Sequence, residues 1–201
     1  MHEWRKKLDS FQPQSPRSAA GLPQAAVLVP IDTRQQLLLT RRADHLPTHG
    51  GEVAFPGGRR EPEDRDLVHT ALRETEEEIG LPAAQIEVVG RLSTLVSLHG
   101  IHVTPIIGLL PQQPCFKPNP AEIADVFQVP LAFFRDEPRS TTHLIRYQGK
   151  PFYVPSWRWQ GFHIWGLTAV MIVELVNLLY EAGIDLHQPP SNTPSPINGR
   201  G

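Results

Sequence analysis

The chain has 201 residues, 40% hydrophobic and 20% charged, which supplies one good-sized core and leaves little length for two roomy domains. A formal net charge of −2 and a pI near 6.5 give no basic field for nucleic acid and no polybasic run for an anionic membrane. Cys115 is the only cysteine, which excludes a disulfide framework and a thiolate metal site, suits a reducing cytoplasm, and reads as an ordinary semi-buried thiol.

The first residues, MHEWRKKLDSFQPQ, are basic but lack the apolar run of a signal peptide, so the protein is expected in the cytosol. Residues 3–11 predict a short helix with Trp4, Leu8 and Phe11 on one side, followed by a Pro/Ser/Gly linker through Pro23, together a lid or packing arm. Residues 25–30 and 36–40 are apolar and rich in branched side chains, and the IDTRQ between them reads as the turn of a hairpin opening a sheet. Arg41 and Arg42 follow directly, either as a solvated pair at a strand end or as guanidinium groups that hold a phosphate. Residues 52–55 alternate as a short strand leading into Pro56, Gly57 and Gly58, where glycine lets backbone approach a substrate closely.

Residues 57–81, GGRREPEDRDLVHTALRETEEEIGL, form a glycine pair, a polar turn and then a helix. Val68, Leu72, Thr75 and Ile79 make one apolar stripe at helical spacing. Glu74, Glu77 and Glu78 stand at i, i+3 and i+4, so three like charges repel within one turn, at the helix end where the macrodipole favours cations. A solvated acidic face is one explanation. A hard divalent cation is the other, since Mg²⁺ and Mn²⁺ take carboxylate oxygens and leave room for phosphate oxygens. Gly80 supplies a left-handed cap and Pro82 blocks continuation.

Residues 86–97 and 102–110 read as long strands joined by a tight turn at Gly100. His99 and His102, three apart in that turn without cysteine nearby, read as surface or hydrogen-bonded residues rather than zinc ligands. A proline-rich loop over 111–120 precedes NPAEIADVFQVPLAFF, a strand and a short helix. Residues 142–147 and 151–154 form a hairpin, and Tyr153, Trp157 and Trp159 add aromatic surface that reads as packing. FHIWGLTAVMIVELVNLLYEAG is a second large helix, too short in its apolar run to cross a bilayer and interrupted by Glu174 and Asn177. Residues 187–201 are expected to be a disordered tail.

The stretch 57–81 resembles the Nudix box, the signature of a phosphoanhydride hydrolase family: Arg73, Glu74, Glu77, Glu78, Gly80 and Leu81 match its second half and Gly58 its first glycine. Thr75 replaces an aliphatic residue. The loop is one residue longer than the pattern, which leaves the first acidic position to either Asp64 or Asp66. Residues 38–58 are similar to the coenzyme A pyrophosphatase branch through Leu38, Leu39, Thr40, Ala43, His49, Gly51, Phe55, Pro56, Gly57 and Gly58, but Pro47 stands where that branch has arginine. The N-P-x-E-I run at Asn119 to Ile123, the V-F-x-V-P-L run after it, and I-W-G-L-T-A at Ile164 to Ala169 also look like that branch.

The resemblance covers roughly residues 24–185. It implies an α/β/α sandwich with a mixed central sheet over residues 24–186, between the arm of residues 1–23 and the tail. It also implies Mg²⁺ or Mn²⁺ held by Glu74, Glu77 and Glu78, with Arg73 orienting them and Glu77 or Glu122 taking the proton of the attacking water. Arg41, Arg42, Phe55, Gly57 and Gly58 are expected to face the substrate, a small nucleoside diphosphate derivative. Coenzyme A is the first choice; ADP-ribose, NADH or a catalytically silent nucleotide sensor are the alternatives. The oligomeric state stays open, a homodimer included. Glu77→Gln or Glu78→Gln is expected to spare the fold, because both side chains face solvent or metal.

Overall fold

The computed structural model describes residues 2–16, 21–136, 138–147, 149–190 and 197–198. It divides into two compact units, Met1–Leu131 and Ala132–Gly201.

The first unit is built on a mixed sheet. Gln24–Ile31 (β1), a nearly unbroken apolar run, is almost wholly buried, as a central strand requires. It lies parallel to His102–Leu109 (β7) over its full length, Gln24 opposite His102 through Ile31 opposite Leu109. Parallel neighbours need a long crossover, and the chain between them carries Leu67–Ile79 (α2). The expected hairpin is minimal: β1 meets Gln36–Arg42 (β2) only where Ile31 faces Leu37. β2 instead runs against Ile123–Pro130 (β8), Gln36 opposite Pro130 through Thr40 opposite Val126. Short strands Val53–Ala54 (β3) and Gly57–Arg59 (β4) pair with β2 and β1. The strand expected over 86–97 is broken into Glu87–Arg91 (β5), which carries a bulge between Val88 and Gly90, and Leu95–Val96 (β6). The fold class is α/β, a mixed sheet flanked by helices, as expected.

α2 lies over β1 and β4. Its buried residues are Thr70, Ala71, Thr75, Glu78 and Ile79, while Val68 and Leu72 are only partly buried against the core. The buried face is therefore rotated toward Glu78 relative to the stripe read from the sequence. Ile79 and Leu81, fully buried with Leu28, Leu38 and Ile106, contribute roughly 1.5–3 kcal/mol each by leaving water. The N-terminal helix His2–Ser10 (α1) packs along β5: Trp4 is buried, Arg5 pairs with Glu87 at 2.7 Å, and the chain beyond exchanges bonds with residues 93 and 94.

In the second unit Thr141–Tyr147 (β9) and Lys150–Trp159 (β10) form the expected hairpin, extended beyond expectation to Phe162–Ile164 (β11) by a turn at Gln160 and Gly161, both left-handed. Gly166–Tyr180 (α3) contacts β10. Trp157 is fully buried edge-on to Phe134, and Trp159 packs edge-on to Phe133, so both are packing residues as expected. Of the expected tail, residues 191–196 and 199–201 lie outside the described residues. Cys115 is exposed rather than semi-buried. Among the described residues no helix is long and apolar enough to cross a membrane.

Asp66 caps α2, its side chain accepting from the His69 N–H at 2.7 Å. Asp66→Ala is expected to lower unfolding free energy by about 1 kcal/mol, measured by urea denaturation.

Candidate active site

The last turns of α2 gather the charged residues singled out above, and Arg73 stands at their centre. Its Nε and Nη2 grip Asp64 at 3.0 and 2.9 Å, while Nη1 reaches Glu74 at 3.0 Å and Glu77 at 3.2 Å. Asp64 is buried and also accepts from the Glu61 N–H, from Thr70 Oγ1 and, through Oδ1, from the His69 ring. The choice left open between Asp64 and Asp66 is thereby divided: Asp64 holds the arginine, and Asp66 holds the helix. The Arg73 guanidinium keeps the Asp64 carboxyl well below the usual carboxylate range, with burial opposing it, and Asp64 in turn raises Arg73.

The three glutamates do not share one environment. Glu77 is half exposed, with 54% of its side-chain surface open; Glu74 is mostly covered; Glu78 is 3% exposed. Glu78 does not face solvent as Glu77 does: its side chain is turned onto the face packed against the sheet. One Glu78 oxygen accepts the Gly57 N–H at 3.0 Å, and the other meets Arg42 Nη1 only at 3.5 Å. Burial pushes Glu78 up to about 8, the Gly57 N–H and Arg42 pulling the other way and Glu74 and Glu122 adding to the rise. Glu74 is raised as well, by burial first, against the pull of Arg73.

Four residues expected at the substrate have structural roles within the protein. Phe55 is 3% exposed and belongs to the core. Arg41 is taken up by Asp125 at 2.6 Å and Asp44 at 2.7 Å. Gly57 and Gly58 are required by close packing within the protein. A β-carbon on Gly57 would collide with the Ala26 carbonyl and Val27 backbone, and one on Gly58 with the Glu74 carboxylate. Arg42 remains at the site, its Nε buried without a hydrogen-bond partner.

Glu122 arrives from a distant loop. Backbone bonds from the Lys117 and Asn119 N–H groups to the Ile79 and Glu78 carbonyls fasten that loop to the end of α2, and the charge of Glu122 raises both Glu74 and Glu78. Asn119 Nδ2 donates to Glu122 Oε1 at 3.2 Å. The sequence reading included this asparagine in the N-P-x-E-I run without giving it a role, although Asn-Pro is a turn signal just ahead of the glutamate.

Among the described residues, no three His, Cys, Asp or Glu side chains are gathered closely enough to hold an ion as they stand. The donor chemistry nevertheless fits a hard divalent cation. Glu78 is a buried carboxylate whose nearest cation is a guanidinium at 3.5 Å, and it sits beside two further acids that raise it. A dication at that place would supply the missing counter-charge through oxygen ligands.

Residues 21–151 match the NUDIX domain family. The chain belongs to the Nudix hydrolase family. It is 46% identical over 154 residues to proteins named as uncharacterized Nudix hydrolase NudL from Yersinia pestis (strain Pestoides F) and Yersinia pseudotuberculosis (serotype O:1b, strain IP 31758), covering 76% of this chain and 77% of each relative. Among solved structures it is similar to an Ap4A hydrolase of C. elegans, with 22% identity and a TM-score of 0.46 over 54% of this chain and 80% of that one. A MutT protein of Methanosarcina mazei Go1 gives 20% identity and a TM-score of 0.44 over 63% of this chain and 85% of that one. As a Nudix hydrolase the protein is a pyrophosphatase, of a family that uses divalent metal ions.

Asp64→Asn removes a buried carboxylate and leaves Arg73 half unpaired, at an expected cost of about 3 kcal/mol near pH 7. The folded carboxyl titrates below its unfolded value near 4, so its contribution is present above that pH and fades as pH falls through the folded value. Urea denaturation from pH 7 down to pH 3 is expected to show the gap between wild type and Asp64→Asn narrowing below about pH 4.

Proposed function

We propose that this Nudix hydrolase cleaves the pyrophosphate of coenzyme A or a close derivative, giving 3′,5′-ADP and 4′-phosphopantetheine. The observation that carries the reaction class is the acidic end of α2: Glu74 and Glu77 held by Arg73, Glu78 held by the Gly57 N–H, and the loop of Glu122 fastened to the same helix end. Coenzyme A is supported by the runs at 38–58, 119–131 and 164–169.

Glu74, Glu77 and Glu78 would hold Mg²⁺ or Mn²⁺. A bound ion of this kind neutralises pyrophosphate charge, polarises phosphorus and makes hydroxide available near neutral pH. Arg73 keeps Glu74 and Glu77 close despite their repulsion, through charge-assisted bonds. Arg42, whose Nε has no partner, supplies a cation at the wall of the site. Glu77 or Glu122 accepts the proton as water attacks phosphorus, while the bridging P–O bond breaks and its oxygen leaves on the other phosphate.

One observation favours a second reading. Pro47, exposed where the coenzyme A branch has arginine, takes a phosphate-binding cation from the β2–β3 loop, which suits ADP-ribose or NADH, substrates without a 3′-phosphate. With Mg²⁺ or Mn²⁺ the purified protein is expected to hydrolyse coenzyme A faster than ADP-ribose, NADH or diadenosine polyphosphates, and EDTA to stop it. Glu77→Gln is expected to lower kcat by about 100-fold or more with little change in thermal midpoint. Preferred turnover of ADP-ribose or NADH would establish the second reading, and binding without turnover of any of them would indicate a nucleotide sensor.

A further inference from the structure

We infer that Asn119 is a positioning residue for the reaction: it docks the loop bearing Glu122 onto the end of α2 and aims the Glu122 carboxylate beside Glu74 and Glu78. This rests on the role proposed for Glu122 above. An α-helix leaves its last carbonyls without intrahelical partners. At the end of α2 the Lys117 N–H takes the Ile79 carbonyl and the Asn119 N–H takes that of Glu78, both at 2.8 Å. These two backbone bonds set residues 117–119 in register with the turn that carries Glu77 and Glu78.

Asn119 then folds the next residues back upon itself. Its carbonyl accepts the N–H groups of Glu122 at 3.0 Å and Ile123 at 2.8 Å, and its Oδ1 accepts the Ala121 N–H at 3.1 Å. Nδ2, the remaining polar end, donates to Glu122 Oε1 at 3.2 Å. On the far side the Glu122 carbonyl accepts the Ala43 N–H at 2.8 Å, and Ile123 opposite Arg42 begins the β8 pairing. The backbone at Glu122 is thus held from two directions, and among the described residues Asn119 alone donates a hydrogen bond to its carboxylate.

An amide suits this position because it accepts at one end and donates at the other. Asn119→Asp keeps the acceptor that folds the turn and sets a like charge against Glu122; Asn119→Ala removes both ends and adds no charge. Both variants are expected to lose kcat by on the order of 10- to 100-fold with KM nearly unchanged, because a displaced reacting group slows the chemical step more than binding. Asn119→Asp is expected to keep a thermal midpoint close to that of wild type, and its crystal structure to show the Glu122 carboxylate turned away from residue 119. Combined with Glu122→Gln, neither change is expected to slow the enzyme further, since both act through one group. Wild-type kcat in both Asn119 variants, or deficits that multiply in the double variants, would overturn the role of Asn119 while leaving Glu122 in place. Full kcat in Glu122→Gln alone would overturn the reading of Glu122 and the role of Asn119 with it.

Discussion

The site depends on one guanidinium. Arg73 spans Asp64 on one side and Glu74 with Glu77 on the other, so carboxylates that would repel along a bare helix face are drawn into one arrangement. Its orientation is itself determined by Asp64, whose two oxygens pair with Nε and Nη2 in the fork geometry that arginine offers and lysine lacks. Asp64 is held in turn by the Glu61 N–H, Thr70 and His69, which ties the arginine to the loop before α2 and to the first turns of the helix.

Close backbone approach places the remaining acids. Lacking side chains, Gly57 and Gly58 let β4 lie against β1 and beneath α2, which brings the Gly57 N–H to Glu78 and leaves room for the Glu74 carboxylate. The C-terminal carbonyls of α2 then bind the loop at 117–119, and with it Glu122 comes to the same end of the helix. The acidic cluster is thus built from one helix, one glycine strand and one loop, the loop fastened by backbone bonds. Burial and the neighbouring acids, which push Glu78 up to about 8, oppose its ionisation, and a hard divalent ion would favour the charged form.

Some residues expected at the substrate have structural partners of their own. Phe55 is consumed by the core, and Arg41 by two aspartates separated from it by 3 and 84 positions in the chain. The second of these partners is invisible to a local reading, because β8 comes beside β2 only through the sheet. For the same reason the apolar stripe of α2 is offset from its true buried face: Glu78 is polar, and periodicity counts it as outward, whereas a backbone N–H from β4 lets it point inward.

Local chemistry in the sequence determined the helix of residues 67–79 with its glycine cap, most strands, the α/β class, the family, and which glutamates stand together. Those features follow from spacing, since side chains three and four apart on a helix meet whatever surrounds it. Tertiary structure alone decided which of Asp64 and Asp66 holds Arg73, that Glu78 is buried while Glu77 is open, and that Glu122 reaches the helix through Asn119. Each of these depends on a backbone group or a charge brought in from elsewhere in the chain, and the energy of a buried carboxylate is set by such neighbours rather than by its own residue type.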